Sequence, residues 1–217
     1  MMTRAQSRRS FMSILTSLAG VSAIQAAGTP AAAQAPAASA QNFDLRWIDD
    51  LKGPHKQVFD MLDADPTAEP AALRLPRNYF DTFRDVYKME FPDVRAIVGI
   101  AGRAFNVNAA DRLWEKYALG ERAKMIDPVT NKPAVRNIFM DDRTLGVKAL
   151  QDRGTIFWQC NIALGGVAQQ LATARQLPVA EVRADLIAGL NPGVRLVPSH
   201  VMALSLVQER GVTYVKV

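Results

Sequence analysis

The feature that most constrains the fold is a set of short segments that are apolar on both faces and alternate with helical segments. The clearest is VRAIVGIA, Val94 to Ala101, which has the length of a strand and ends at Gly102. Similar short runs lie at 56–62, 155–159, 194–197 and 212–217. Strands without a polar face are typical of parallel sheets that helices cover on both sides. The sequence therefore predicts a three-layer α/β/α domain with a mainly parallel sheet of about five strands.

Segments with helical periodicity separate these runs. The clearest begins near Pro76 and stops before Pro92. Its aromatic and apolar residues are spaced to share one face: Tyr79, Phe80, Phe83, Val86 and Tyr87. Further helices are predicted after Asn106 or Asn108, at 142–152, over 164–172, from Pro178 and from Ser199. Residues 121–141 show no sustained period, which predicts a lid, a binding loop or an assembly arm.

The first forty residues have the composition of an export signal. Two adjacent arginines stand in SRRSFMS, residues 7–13, and a modestly apolar run follows from Ile14 to Ile24. This order is typical of a secretory signal, and the arginine pair favours the twin-arginine route. Ala38-Ser39-Ala40 offers a cleavage site. We expect residues 1–40 to be the signal peptide with an Ala/Pro-rich tract, and residues 41–217 to be one periplasmic domain with no stable membrane span, although an uncleaved anchor is an alternative.

The net charge does not favour a nucleic-acid partner. The formal charge is +5, from 26 Lys and Arg against 21 Asp and Glu. Three of the basic residues lie in the first forty positions, so 23 basic residues remain against 21 acidic ones. The mature segment also shows no basic cluster with interleaved aromatic residues. We therefore expect no nucleic-acid binding.

The only cysteine, Cys160, lies in FWQCNIALGG, where an apolar run meets the start of a helix. In an open α/β sheet, ligands and chemistry collect outside the carboxyl ends of the strands. The first turn of a helix favours an anion and would stabilise a thiolate there. We expect a reactive thiol in an open crevice. An inert core thiol is the competing interpretation, and an intermolecular disulfide, a persulfide carrier or one ligand of a shared metal also stay open.

Several polar residues are candidates to assist this thiol. His200 follows the fourth apolar run and could face the same crevice, whereas His55 precedes the first run and lies at the wrong end. Asn161 is a candidate hydrogen-bond donor, Arg103 a candidate anion contact, and Ser199 a candidate helix cap and binding residue. The spacings of metal sites, of phosphate-binding glycine loops and of the GxSxG elbow are absent, so we expect no metal and no cofactor.

The C-terminal third resembles the DsrE/DsrF-like family. The matching motifs are the strand–Cys–helix segment around Cys160, Pro192-Gly193-Val194, Val197-Pro198-Ser199 and the closing segment Gln208 to Tyr214. KGPHKQVFD and LWEKYALGER are similar to a twin-arginine-exported branch of the same family. The resemblance implies a flavodoxin-like domain, assembly as a trimer or hexamer, and sulfur carried as a persulfide on Cys160.

Two functions are therefore open at the level of the sequence. The first is an exported DsrE-like protein that handles sulfur on Cys160 and has a sulfur donor or acceptor protein as its partner. The second is a non-catalytic module for small-ligand binding or oligomeric assembly that uses the same crevice. Position 200 departs from the small residue that the resemblance leads us to expect, because it is histidine. Whether the protein is an enzyme stays open.

Overall fold

The structure, a computed structural model, describes residues 43–64, 71–140 and 146–217. The predicted signal peptide, its cleavage site and the Ala/Pro-rich tract lie outside these ranges. So do residues 142–145, the start of a helix predicted from the sequence. Residues Gln41–Val217 cluster into one compact unit.

Five parallel strands form the sheet, which confirms the predicted fold class. The strands are β1 His55–Met61, β2 Val94–Ile100, β3 Ile156–Cys160, β4 Arg195–Val197 and β5 Thr213–Lys216. They lie in the order β4-β3-β2-β1-β5, and each neighbouring pair is parallel. All five carboxyl ends therefore meet at one edge of the sheet, where Cys160 is the last residue of β3.

Helices connect the strands. They are α1 Arg46–Asp49, α2 Ala71–Thr82, α3 Phe105–Asn108, α4 Asp111–Tyr117, α5 Leu119–Arg122, α6 Val147–Asp152, α7 Asn161–Arg175, α8 Val179–Ala188 and α9 His200–Glu209. A π-helical turn, Phe83–Tyr87, continues α2, and a short 3₁₀ turn, Gly102–Ala104, precedes α3. In the part of the chain that the structure describes, no helix is both long enough and apolar enough to cross a membrane.

The sheet separates two apolar cores, as expected for three layers. Successive strand residues point to opposite faces, so Phe157 enters one core and Trp158 the other. The larger core contains buried side chains of α2, α4, α7 and α8. The smaller core packs Trp158 against Trp47 of α1 and against α9. Cys160 shares the face of Trp158, because the two residues are two positions apart on β3.

Helix α2 begins earlier than the sequence indicates. It starts at Ala71 and continues through Pro76, which removes one backbone hydrogen bond. Burial of Leu73, Pro76 and Phe80 offsets this loss. The apolar face of this helix is shorter than predicted, because Val86 and Tyr87 are exposed. The π-helical turn has a wider turn than an α-helix and takes these two residues away from the core.

The segment without periodicity packs on the domain over its described part, residues 121–140. Met125, Ala134 and Phe139 are buried. The Asp127 carboxylate accepts hydrogen bonds from the backbone N–H of Val129 at 2.8 Å and from the Arg136 side chain at 3.0 Å. The described part is therefore not a projecting lid or arm. Side-chain hydrogen bonds and scattered apolar anchors hold it, and these leave no periodic pattern in the sequence.

Candidate functional site

Cys160 lies where two helices begin. It ends β3 and occupies the N-cap position of α7. Its Sγ accepts the backbone N–H of Ala163 in α7 at 3.4 Å and that of His200 in α9 at 3.3 Å. The first N–H groups of a helix have no partner within the helix and carry its positive dipole end. The two donors therefore favour a negative charge on the sulfur.

The expectation of an open crevice around the thiol is wrong, because Cys160 is only 4% exposed. Its side chain lies on the face of the sheet that α9 covers, and the first residue of α9 closes over it. Two apolar side chains on the first turns of α7 and α9, Ile162 and Val201, are 69% and 75% exposed. The sulfur is thus shielded, with exposed apolar residues on the two helices that meet at it.

The His200 ring does not reach the sulfur, because two other side chains bind both of its nitrogens. The indole N–H of Trp158 donates to Nδ1 at 3.0 Å, and Nε2 lies 2.7 Å from Oδ1 of Asp60. An indole nitrogen only donates, so Nδ1 must accept and Nε2 must donate. These partners define the neutral Nε2–H tautomer. His200 contributes its backbone N–H to the thiol and its ring to a buried network.

Asp60 links this network to the edge strand β5. It is 5% exposed and lies near the carboxyl end of β1. Its Oδ2 accepts the hydroxyl of Tyr214 at 2.7 Å, and this hydrogen bond raises the pKa of Tyr214. Trp158, His200, Asp60 and Tyr214 form a continuous chain of hydrogen bonds across β3, α9, β1 and β5, which we call the His200 network.

Gly99 makes room for the His200 network. It is the register partner of both Asp60 and Trp158 in the parallel sheet. A Cβ at this position would lie 2.4 Å from the Trp158 ring. Only glycine therefore lets the indole reach the position from which it donates to His200.

A second buried polar cluster lies on the opposite face of β3 and consists of amides. Gln159 and Asn108 are fully buried, and Nδ2 of Asn108 donates to Oε1 of Gln159 at 3.1 Å and to the carbonyl of Trp158 at 3.0 Å. Asn137 and Asn191 each donate to a backbone carbonyl of α3 at 3.0 Å. We call these four residues the amide cluster. It contains no titratable side chain and fixes the irregular chain around α3.

The remaining residues proposed from the sequence do not contact the sulfur. Oδ1 of Asn161 accepts from Arg183 at 2.5 Å, and the donors to the thiol are instead the backbone N–H groups of Ala163 and His200. The Arg103 side chain is 85% exposed and pairs with Asp63. Ser199 occupies the N-cap position of α9, but its hydroxyl makes no capping hydrogen bond. Arg103 therefore does not form the expected anion contact beside the thiol, and the Ser199 hydroxyl does not cap α9.

Sequence reasoning missed Asp60 and Trp158. A signal for Asp60 was present, because it is an acidic residue inside the apolar segment VFDML. Trp158 stands two residues before Cys160 and so shares its face, but its partner could not be known. His55 lies at the amino end of β1, as predicted, with its ring 4.4 Å from that of Phe83.

A cleft of about 340 Å³ lies along the first turns of α7. Exposed Arg103 and Arg122 line it, together with buried apolar residues and Asn106, which is only 9% exposed. Nδ2 of Asn106 is 3.8 Å from the Met125 sulfur, and its Oδ1 accepts no hydrogen bond from the described residues. Ala163 lines this cleft and also donates to Cys160. Cys160 itself is not among the lining residues.

Within residues 43–64, 71–140 and 146–217, no group of three His, Cys, Asp or Glu side chains is placed to hold a metal ion. Comparison with models of protein families finds no match, and comparison with curated proteins finds none. Among solved structures, the chain is similar to MTH1491, a protein of unknown function from Methanobacterium thermoautotrophicum. The two are 18% identical with a TM-score of 0.41, over 75% of this chain and 99% of that one. This similarity does not indicate a function.

Proposed function

We propose that the protein carries sulfur as a persulfide on Cys160. The observation that carries this proposal is the pair of backbone N–H groups, from Ala163 and His200, that donate to the Cys160 sulfur. Hydrogen bonds to the charged form favour that form, and the thiolate is the nucleophilic state of cysteine. The donors act on Sγ, so they favour the thiolate that attacks the donor and the thiolate that forms again when the sulfur is released.

The reaction requires no external oxidant. The Cys160 thiolate attacks the outer sulfur of a donor persulfide, R–S–SH. A new S–S bond forms on Cys160, the S–S bond of the donor breaks, and the donor thiolate leaves with the electron pair. The transferred sulfur keeps its oxidation state, and its proton stays on it or passes to the leaving thiolate. Release to an acceptor thiolate repeats the same exchange.

The 4% exposure of Cys160 sets the size of the donor. A small persulfide is expected to reach the sulfur more easily than a bulky reagent. A protein donor or acceptor would dock on the first turns of α7 and α9, where Ile162 and Val201 are exposed. This partner is part of the proposal.

The proposed function also includes a location in the periplasm and assembly of the protein as a trimer or hexamer. The arginine pair in SRRSFMS and the Ala38-Ser39-Ala40 site support export to the periplasm by the twin-arginine route. The DsrE-like motifs of the C-terminal third support a trimer or hexamer. Light scattering on the exported protein tests the assembly, and a purely monomeric mass would reject it.

Mass spectrometry after treatment with glutathione persulfide tests the sulfur-carrying function. We expect the Cys160 peptide to gain the mass of one sulfur atom, and cyanide to remove it again. Cys160→Ser is the matched control and should gain nothing. A wild-type protein that stays unmodified, or a Cys160→Ser variant that gains the same mass, would reject the proposal.

A second function, binding of a small organic anion, is favoured by the cleft along α7. Its charged groups are Arg103 and Arg122, and the described residues offer no acidic partner to Arg122. Asn106, which is 9% exposed, adds a side-chain oxygen that accepts no hydrogen bond from the described residues and is open to a donor group of the ligand. Apolar lining with a few polar groups is typical of small-molecule sites. The cleft therefore suits an apolar molecule that carries one acidic group.

Anilinonaphthalene sulfonate, an apolar fluorescent anion, tests this second function. We expect Arg122→Gln to weaken its binding about fivefold, the loss expected for one exposed charge pair. Arg175→Gln removes a charge that is also exposed, at the other end of α7, and should leave binding unchanged. Equal affinities in the two variants would show that the dye does not use the cleft.

A further inference from the structure

We infer that Trp158, His200 and Asp60 are positioning residues that set the ionisation of Cys160 by holding the first N–H of α9 on its sulfur. This inference rests on the proposed role of Cys160 as a reactive thiolate. None of the three side chains touches the sulfur. They act through the backbone nitrogen of His200, which lies 3.3 Å from Sγ.

The start of α9 is held by the side chain of its first residue, His200. Helix ends fray unless a side chain or another group satisfies their free N–H groups. Ser199 occupies the N-cap position, but its hydroxyl makes no such bond. The next residue, His200, is instead fixed through both ring nitrogens, at 3.0 Å to Trp158 and 2.7 Å to Asp60. Fixing the ring restricts the side chain and the backbone N–H to which it is joined.

Every polar side-chain group of the His200 network has a partner. The indole N–H has an acceptor, both imidazole nitrogens have partners, and the Asp60 carboxylate receives His200 and Tyr214. A fully satisfied polar network is rigid where it is buried, and Trp158, His200 and Asp60 are buried. A buried carboxylate–imidazole pair is weak evidence for a stabilising role, since apolar residues often stabilise as well. Because this network ends on the residue that donates to the thiol, positioning is the role that its geometry supports.

Asp60 could act on Cys160 through its negative charge or through the position of His200. The two effects predict changes of opposite sign in the ionisation of Cys160 when Asp60 is replaced, so they can be separated. The negative charge of Asp60 opposes a thiolate nearby. If charge dominated, Asp60→Asn would make Cys160 ionise more easily. If positioning dominates, Asp60→Asn replaces a charged acceptor by a neutral one, loosens His200, and makes Cys160 ionise less easily. The two accounts differ in the sign of the change.

The experiment measures the thiolate midpoint, the pH at which half of Cys160 is ionised. It is read from ultraviolet thiolate absorbance, with Cys160→Ser in the same background subtracted. Amide hydrogen exchange at residue 200 is measured in parallel. We expect His200→Leu to raise the midpoint by about one pH unit, the effect of losing one hydrogen bond to a charged group, and to speed exchange at residue 200. His200→Gln should restore part of both effects, because its amide can donate to Asp60.

Matched controls remove His55 and Asp63, which lie outside the His200 network. His55→Gln and Asp63→Asn should leave the midpoint and the exchange rate unchanged. Asp60→Asn should raise the midpoint by about 0.5 pH unit, since a neutral hydrogen bond is roughly half as strong as a charged one. A folded His200→Leu protein with a wild-type midpoint, or a lower midpoint in Asp60→Asn, would overturn the inference.

Failure of the proposed function and failure of the positioning role would give different experimental results. If wild-type Cys160 ionises no more easily than a free thiol, but residue 200 is protected in wild type and not in His200→Leu, the reactive-thiolate role fails and the positioning claim stands. If Cys160 ionises easily and no network variant changes it, positioning alone fails. Should His200→Leu not fold, His200→Gln and Tyr214→Phe give the same readouts with little change in volume.

Discussion

Strand β3 presents two buried polar clusters on opposite faces, and they are built differently. The His200 network joins side chains to one another and includes three titratable groups, Asp60, His200 and Tyr214. The amide cluster, on the face of Gln159, donates mainly to backbone carbonyls and has no titratable member. One cluster ends on the residue that donates to Cys160, and the other ends on irregular backbone.

The difference between the two clusters distinguishes polar side chains that satisfy the backbone from polar side chains that hold another group in place. Buried backbone carbonyls need a partner wherever the chain is irregular. An asparagine that supplies this partner has a structural role. A set of side chains that satisfy one another does not serve the backbone, and its members are better explained by the atom that they hold in place. Variants of Asn137 and Gly99 test this division, and variants of Asp185 and Gly165 supply changes outside it.

The largest expected effect is on the amide cluster. Asn137 donates to the carbonyls of Val107 and Ala109 and accepts from the backbone N–H of Phe139. Asn137→Ala leaves these buried groups without partners and should lower the free energy of unfolding by about 3 kcal/mol. Urea unfolding measures the loss, with exposed Asn78→Ala as the control. The thiolate midpoint of Cys160 should not change, and a shift of it would remove the distinction between the clusters.

Gly99→Ala should affect stability and the His200 network together. The added Cβ would lie 2.4 Å from the Trp158 ring, and overpacking of this kind costs about 2 kcal/mol. Because the indole must move from His200, we expect a higher thiolate midpoint as well. Thermal unfolding and the absorbance titration check the two effects. Loss of stability with an unchanged midpoint would contradict the link between Trp158 and the thiol.

Asp185, outside both clusters, should contribute to the pH dependence of stability. Burial raises the pKa of this carboxyl, but hydrogen bonds from Lys116, Arg112 and Tyr117 outweigh burial and lower it from 3.8 to about 2. A carboxyl with a lowered pKa stabilises the fold above its unfolded pKa, and the contribution is lost as the pH falls through the folded value.

Asp185→Asn should therefore cost about 2 kcal/mol at neutral pH. The difference from wild type should shrink between about pH 4 and pH 2, the window set by the two pKa values. Urea unfolding across this range measures it, with exposed Asp50→Asn as the control. A difference that persists at the lowest pH would assign the cost to lost packing instead of charge.

The smallest expected effect is a gain in stability. A Cβ on Gly165 in α7 would meet no atom within 4 Å. Gly165→Ala should raise the free energy of unfolding by about 0.5–1 kcal/mol, since glycine is the more flexible residue in the unfolded chain. It also serves as the glycine-to-alanine control for Gly99→Ala. Its thermal midpoint should rise while the thiolate midpoint stays unchanged.

The sequence was sufficient for the fold because the signals are local. The run from Val94 to Ala101 is apolar on both faces, and the helices between such runs have their own period. The start of α2 was missed because burial of Leu73 and Pro76 overrides the proline signal. Such tertiary packing leaves no mark in a short window of sequence.

The site was only partly predictable because its contacts are distant in the chain. The position of Cys160 at a strand–helix junction follows from its neighbours alone. The Asp60–His200 contact spans 140 residues and depends on the sheet register that places Asp60 beside Gly99, and Gly99 beside Trp158. The position of α9 over the Cys160 sulfur likewise depends on the packing of α7 and α9.

The proposed role of Cys160 requires that the backbone N–H groups of Ala163 and His200 outweigh its burial. Burial disfavours a charged sulfur, whereas hydrogen bonds to the charged form favour it. Mass spectrometry after treatment with glutathione persulfide at neutral pH, with Cys160→Ser as the control, tests this balance directly. We predict that the Cys160 peptide of the wild-type protein gains the mass of one sulfur atom. A wild-type Cys160 that stays unmodified would show that the thiol is inert and would contradict the sulfur-carrying role.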